Sequence, residues 1–233
     1  MELLHDRLDG QVALVTGANR GIGSQVCKEL AALGATVHAG ARDLGSLAGL
    51  EAASDGQMHP AQLDVTDEAS IEAALADIQE LDILVNYAGI GDWHGSVLHT
   101  LDAELLDRVL ATNLRGPMLM AKHAVPKLLA RRGGRIVNVS SGMGGLDGMG
   151  GGNPAYRVSK TALNGLTAYL AGEYGMRGLL AASVCPGWVR TDMGGANAHR
   201  SLEEGAAGIV HACRLQEGAP NGRFWRDGQI IGW

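Results

Sequence analysis

The sequence predicts an α/β fold of three layers, with a doubly wound, mostly parallel sheet of about seven strands in the middle. Two observations carry this. Short apolar runs alternate with longer stretches of helical periodicity along the chain, the pattern of parallel strands joined by crossover helices. Runs such as Val12 to Val15 are continuously apolar, as strands covered on both faces are. Right-handed crossovers then give double winding. No linker, composition break or repeat divides the 233 residues, so residues 1–233 are expected to form one domain.

The elements follow in order. Val12 to Val15 is an apolar run that ends at Thr16-Gly17, and it reads as a buried strand. Ile22 to Leu33 has helical spacing and stops at Gly34. Thr36–Gly40 is a second strand, Leu44–Ala53 a weak helix, and Met58–Leu63 a third strand. Asp67–Gln79 is a helix whose acidic first turn suits the macrodipole. Ile83–Val85 is the fourth strand. Leu101–Leu129 is a long helical pattern in which Pro117 and Pro126 predict a kink or break. Arg135–Val139 is a strand, Ala155–Tyr174 a long helix and Leu179–Val184 a sixth strand. Ser201, with Glu204 three residues on, opens a helix to Cys213 as a capping box. Phe224 and Trp225 mark a last short strand.

Composition narrows the function. Nineteen basic and 25 acidic residues leave a net charge of −6, against a nucleic-acid partner. Three cysteines, an odd number without metal-ligand spacing, argue against a disulfide framework and a zinc site. His5, His59, His99, His123, His199 and His211 form no metal spacing either, so no metal is expected, and His38 reads as a packed strand residue. Cys27 and Cys185 read as small core residues. No run of about 18 apolar residues suggests a membrane span, and the first residues do not read as a signal peptide. A cytoplasmic protein is the expectation. Glycine, at 35 residues, is about twice its ordinary usage, so glycines must serve turns and close approaches to a ligand.

The strongest local signal is Thr16-Gly17-Ala18-Asn19-Arg20-Gly21-Ile22-Gly23, between the first strand and the first helix. A glycine turn in that position lets the backbone approach a pyrophosphate, and the helix N-terminus offers it free N–H groups. The bland reading is a tight turn with no ligand. The spacing differs from G-x-G-x-x-G: three residues separate the first two glycines and one the last two. Tyr156 and Lys160 stand at i and i+4 on a helix, hence on one face. A phenol titrates near pH 10, and a neighbouring ammonium lowers that value, so the pair can pass a proton to a substrate oxygen. Ser140 and Ser141 both offer a hydroxyl for a substrate carbonyl. Asn113 sits mid-helix, where Asn is a mediocre helix former.

These motifs, in this order, resemble the short-chain dehydrogenase/reductases, single-domain nicotinamide oxidoreductases of Rossmann fold. The turn Thr-Gly-x-x-x-Gly-x-Gly is similar to their cofactor turn. Asn86-Tyr87-Ala88-Gly89 is similar to their Asn-Asn-Ala-Gly element, with Tyr87 in place of the second Asn. Asn113, Ser140-Ser141, Tyr156-x-x-x-Lys160 and Pro186-Gly187-Trp188-Val189-Arg190-Thr191-Asp192 follow where the family keeps its functional groups. The resemblance runs from about Gln11 to the end of the chain.

The resemblance implies hydride transfer between a nicotinamide and a carbonyl or alcohol carbon. Tyr156 would protonate the oxygen during reduction, and Ser141, favoured over Ser140 by register, would fix it. Lys160 would lower the tyrosine's pKa and hold the nicotinamide ribose. A kink at Asn113 would expose a carbonyl that holds a water for proton return. The cofactor side would comprise Gly17, Asn19, Arg20, Gly21, Ile22 and Gly23; Arg42, Asp64 and Val65; Asn86, Ala88 and Gly89; Tyr156 and Lys160; and Pro186, Gly187, Val189 and Thr191. The family's acidic position after the second strand falls on Ala41, and Arg42 follows it. A carboxylate there would hold ribose hydroxyls and repel a 2′-phosphate. Arg20 and Arg42 can instead clamp that phosphate, which predicts NADP(H) over NAD(H), a preference that Asp43 would weaken if it swung in.

Trp93, His94, Met143, Trp188 and Met193 suggest an apolar pocket for an aromatic or aliphatic carbonyl, with loop cover as the alternative role for Trp93 and His94. The later segments look most like the carbonyl reductase branch. The short stretch Gly194 to Arg200 implies an open, permissive pocket. The short stretch between Ser141 and Tyr156 leaves helix surfaces free for a homodimer or homotetramer. Two rivals remain: a sugar-nucleotide epimerase or dehydratase, which normally needs more chain after Pro186, and an NADP(H) sensor without turnover.

Overall fold

The computed structural model describes residues 3–51, 56–93 and 96–233. Eight strands form one sheet in the order β3-β2-β1-β4-β5-β6-β7-β8. β1 (Val12–Thr16), β2 (Thr36–Ala41), β3 (Met58–Gln62), β4 (Ile83–Asn86), β5 (Arg135–Val139), β6 (Leu180–Val184) and β7 (Arg223–Arg226) pair in parallel, and β8 (Gln229–Ile231) runs antiparallel to β7. This is the expected doubly wound Rossmann sheet, with one strand more. The extra strand has a local cause. Asp227 and Gly228 both take positive φ, 52° and 73°, and make the tight Asp-Gly hairpin that turns β7 into β8.

The central strands β1, β4, β5 and β6 are buried on both faces, while the edge strand β3 is mostly exposed, and the side chains of the central strands alternate between two cores. Val15, Val85, Val137 and Val184 face α1 (Gly21–Ala32) and α7 (Leu202–Cys213). Leu14, Leu84, Ile136 and Ala181 face α3 (Glu68–Ala76), α5 (Gly116–Leu128) and α6 (Pro154–Tyr174). The weak helix expected at Leu44–Ala53 is a 3₁₀ turn, Leu44–Leu47, followed by the short α2 (Ala48–Glu51), and its last expected residues lie outside the described ones. Asp67 caps α3 by accepting from Ala69 N, and Ser201 and Glu204 form the full capping box of α7. His123, expected in no cluster, meets Glu68 and Glu72, and Lys122 also binds Glu68, in an ion-pair group at the surface.

The long helical pattern breaks at one place. α4 (Ala103–Leu110) passes through a π-helical stretch, Ala111–Arg115, into α5. Pro117 has no N–H to give the carbonyl four residues back, which is that of Asn113, so the ladder widens there. Pro126 stays inside α5 near its end and breaks nothing.

The direction in which successive strands are added to the sheet reverses between β1 and β4, which lie side by side in parallel. At such a switch point the loops leave the strand ends in opposite directions and open a crevice.

Candidate active site

A cleft of about 1790 Å³ fills that crevice. The first wall is the glycine turn. Gly17 and Gly21 take φ of +68° and +57°, and a Cβ on Gly17 would stand 3.0 Å from Ala88 Cα. The Thr16 hydroxyl accepts from the N–H groups of Tyr87 and Ala88, both at 3.0 Å, and so ties the turn to the loop after β4. Arg20 precedes α1 without capping it, and no acidic residue stands in the first turn. The amide end of α1 thus meets the cleft without a side-chain cap. These features fit a dinucleotide pyrophosphate.

Most residues expected on the cofactor side line this cleft: Asn19, Arg20, Gly21 and Ile22 from the turn; Arg42, Asp64 and Val65 from the β2 and β3 ends; Ala88 and Gly89; and Pro186, Gly187, Val189 and Thr191. Gly23 and Asn86 are not in the wall. A Cβ on Gly23 would lie 2.6 Å from both Gly17 O and the Tyr87 ring, so this glycine makes room for packing. Asn86 is buried and donates to Asn138 Oδ1 at 2.8 Å, and Asn138 donates to Thr167 at 2.9 Å, a chain that joins β4 and β5 to α6.

The expected arginine pair is only half assembled. Arg42 is exposed at the end of β2, and Ala41 beside it is buried. Asp43 stays local, with Oδ1 accepting from Gly45 N at 2.9 Å. Arg20, however, ion-pairs with Asp192 across the cleft mouth, both side chains more than 70% exposed. An exposed pair of this kind is worth about 0–1 kcal/mol, little against a phosphate dianion.

The opposite wall carries the titratable groups. Tyr156 and Lys160 share a face of α6, with the Lys160 Nζ 5.6 Å from the centre of the phenol ring. Both are buried. Nζ donates to Val139 O at 2.8 Å. The Tyr156 hydroxyl hydrogen-bonds with Ser141, whose Oγ also accepts from Met143 N at 3.1 Å. Ser140 turns away and donates to Lys160 O. Of the two serines, Ser141 is the one beside the phenol.

The electrostatics differ from the sequence expectation. Burial dominates both groups: it pushes the Tyr156 phenol up to about 12, against the lowering hydrogen bond from Ser141, and it pulls Lys160 down to about 8. The lysine therefore does not by itself bring the phenol towards neutrality, because removal from water penalises the charged form of each.

Asn113 lies outside the cleft wall, fully buried in the π-helical stretch. Its Nδ2 donates to Ile90 O and Ser159 Oγ at 2.8 and 3.0 Å, and its Oδ1 accepts from Ile90 N at 2.9 Å. Its side chain is thus fully used in holding the loop after β4 against α6. The same loop holds Asp92, which the sequence reading missed. Asp92 is completely buried and accepts from Ala155 N and Tyr156 N at 3.0 and 3.2 Å and from Ser96. Asn153, in left-handed conformation at φ 49°, gives α6 no side-chain cap, so Asp92 caps that helix from another loop. Trp93 packs against the Tyr156 ring at a tilt of 51°, with 4.8 Å between centroids. Asp92→Ala should lower stability by about 1–3 kcal/mol in denaturant melts and reduce turnover, with Asp92→Asn recovering only part of the loss, because its amide nitrogen cannot accept from one of the two N–H groups that the carboxylate holds. An Ala variant as stable and active as the parent would refute the cap.

Trp93, Met143, Trp188 and Met193 all reach the cleft, while His94 lies outside the described residues. Trp188 and Met193 are 51% and 43% exposed, on a side open to solvent. Cys185 is buried, as expected, and its side chain also lines the cleft wall. No helix of the described residues is long and apolar enough to cross a membrane.

Comparison with known proteins agrees with this geometry. A family model for short chain dehydrogenases matches residues 11–201. The 3-oxoacyl-(acyl-carrier-protein) reductase FabG of Escherichia coli strain K12 is 37% identical over 192 residues, covering 79% of this chain and 76% of that protein. The carbonyl reductase from chicken fatty liver, solved with NADPH bound, superposes with a TM-score of 0.84 at 30% identity, over 97% of this chain and 100% of that one. A 3-ketoacyl-(acyl-carrier-protein) reductase from Brucella melitensis, solved with NADH, superposes at 0.85 with 25% identity, over 95% of this chain and 98% of that one. The family model covers most of the sequence, and the fold sets a glycine turn opposite a Tyr-x-x-x-Lys helix across a single crevice. This chain is a member of the short-chain dehydrogenase/reductases, hydride-transferring oxidoreductases.

Proposed function

We propose that residues 1–233 act as one dinucleotide-binding and catalytic unit that reduces a small carbonyl substrate with NADPH. The observation that carries this is the Tyr156 hydroxyl, bonded to Ser141 and flanked by Lys160, in the wall of the cleft that the glycine turn opens. A reduced nicotinamide bound in this cleft would supply hydride to the carbonyl carbon. A phenol held up at about 12 is protonated at neutral pH, so Tyr156 carries the proton that the new alkoxide oxygen takes. Lys160, at about 8, is largely charged at pH 7 and stabilises the phenolate left behind. Ser141 orients the oxygen. Asn113 acts through the loop and helix it joins, and its carbonyl, to which Pro117 has no N–H to give, would hold a water for proton return.

The NADP(H) preference rests on Arg42 beside an uncharged Ala41, with Asp43 engaged in its own turn. Seven cationic and three anionic side chains line the cleft, a positive surplus on a chain of net charge −6 that suits a phosphate-rich ligand. The test is loss of reduced-nicotinamide absorbance with NADPH and with NADH, over ketones, aldehydes and a 3-oxoacyl thioester, the last because of the FabG relatives. NADPH is expected to be the better donor. Arg42→Ala should lower kcat/KM for NADPH by about ten- to a hundredfold, the worth of a charge-assisted bond, and leave NADH within about threefold. Equal efficiency of both cofactors in the parent protein would defeat the phosphate assignment. Tight cofactor binding without any turnover would favour the sensor. Met118 on α5 and Val158 and Tyr169 on α6 are at least half exposed, apolar surface suited to a homodimer or homotetramer.

A further inference from the structure

Arg226, the last residue of β7, reaches the cleft wall beside Cys185 and Gly142. Its Nη2 donates to Cys185 Sγ at 3.1 Å, and the same sulfur accepts from Gly142 N at 3.1 Å. Its Nε is buried without a partner. Among the described residues no carboxylate lies within ion-pair distance of it. The adjacent Asp227 is taken by Arg200 through two bonds of 2.6 and 2.7 Å.

This is an unusual position for a guanidinium. Arginine keeps its charge at any relevant pH, and a thiol sulfur is a weak acceptor. A half-buried cation held by sulfur alone carries an uncompensated desolvation cost, which an anion arriving from the cleft would relieve. The position within the cleft says which anion. Arg20 and Arg42 lie at the far ends of β1 and β2, where the phosphates belong. Arg226 instead touches the residue after Ser141, whose hydroxyl meets the Tyr156 phenol. A Cβ on Gly142 would collide with the guanidinium, so the glycine leaves the fork its place.

We infer that Arg226 recognises a carboxylate on the carbonyl substrate, so that the substrates favoured by this protein are keto acids. This rests on the proposed carbonyl reduction and names its substrate class. The carboxylate would bind the open side of the guanidinium while the ketone oxygen lies between Ser141 and Tyr156. The reaction balances as before: the ketone carbon gains hydride, its oxygen gains the phenolic proton, and the carboxylate is unchanged.

The test measures kcat/KM with NADPH for matched pairs, each a keto acid and its neutral methyl ester: pyruvate, phenylglyoxylate and levulinate. In the parent protein the acid of the best pair is expected to lead its ester by about tenfold or more. In Arg226→Gln that lead should vanish, through a larger loss for the acid than for the ester. In Arg226→Lys, which keeps the charge without the fork, the acid should stay ahead by a smaller factor. Thermal melts of each variant establish folding, and if the Gln variant does not fold, the parent and Lys ratios decide. Esters that match or beat their acids in every pair, or an acid lead that survives Arg226→Gln, would overturn the inference while leaving carbonyl reduction intact. A parent protein that turns over neither acids, esters nor simple ketones defeats the underlying reading instead.

Discussion

Tyr156→Phe is expected to lower kcat for carbonyl reduction by about 10²–10⁴-fold, the range that general acid–base groups supply, while NADPH affinity stays within a few-fold. Only one oxygen is removed. The ring keeps its burial and its packing against Trp93 at 4.8 Å, and Ser141 keeps its bond from Met143 N. The helix, its Asp92 cap and the glycine turn are untouched, so the cofactor cleft keeps its shape. What disappears is the group that delivers the proton. Single-turnover rates and cofactor titration by fluorescence separate the two effects. Near-normal turnover in this variant would remove Tyr156 from the chemistry.

Lys160→Met should lower kcat by about 10²-fold or more and, at neutral pH, raise stability. The two effects share one cause. The ammonium is buried and donates to Val139 O, and burial brings its folded-state value down from 10.5 to about 8. Between pH 8 and 10.5 the unfolded chain then binds more protons than the folded one, and stability rises with pH across that window. Below it the full penalty is present, on the order of 3 kcal/mol from the size of the shift. The Met variant is therefore expected to be more stable than the parent at pH 7, with the gap closing as pH climbs through the window. Cys27 and Cys213, each raised to about 12 by burial, tilt both proteins alike and cancel in the difference. A stability difference independent of pH would show that Lys160 is not buried as a cation. The same titration should cut the parent's reductive rate on the alkaline side of about pH 8, because the neutral amine no longer stabilises the phenolate.

Much of the molecule was legible in the chain. The central parallel strands read correctly because a strand covered on both faces is driven to be apolar, as Ile83 to Val85 is throughout and Ile136 and Val137 are within β5. The kink at Asn113 was legible in Pro117, because a missing N–H acts on a carbonyl at a fixed distance along the chain. β8 went unread although its signal, Asp227-Gly228, was present in two letters. The pairing of Ser141 with Tyr156, and the turning of Ser140 towards Lys160 O, follow from which way each side chain points at the end of β5.

Sequence alone determined the order of the elements, the glycine turn and the single helix face shared by Tyr156 and Lys160, since all of these depend on neighbours within a few residues. Tertiary structure decided the rest. It put Asp92 under the start of α6, gave Arg20 to Asp192, kept Asn86 and Gly23 out of the wall, and set Arg226 beside Cys185. It also reversed the expected direction for the phenol. Solvent exclusion is a property of the whole packed shell around a group, and no spacing along the chain encodes how much water that shell removes.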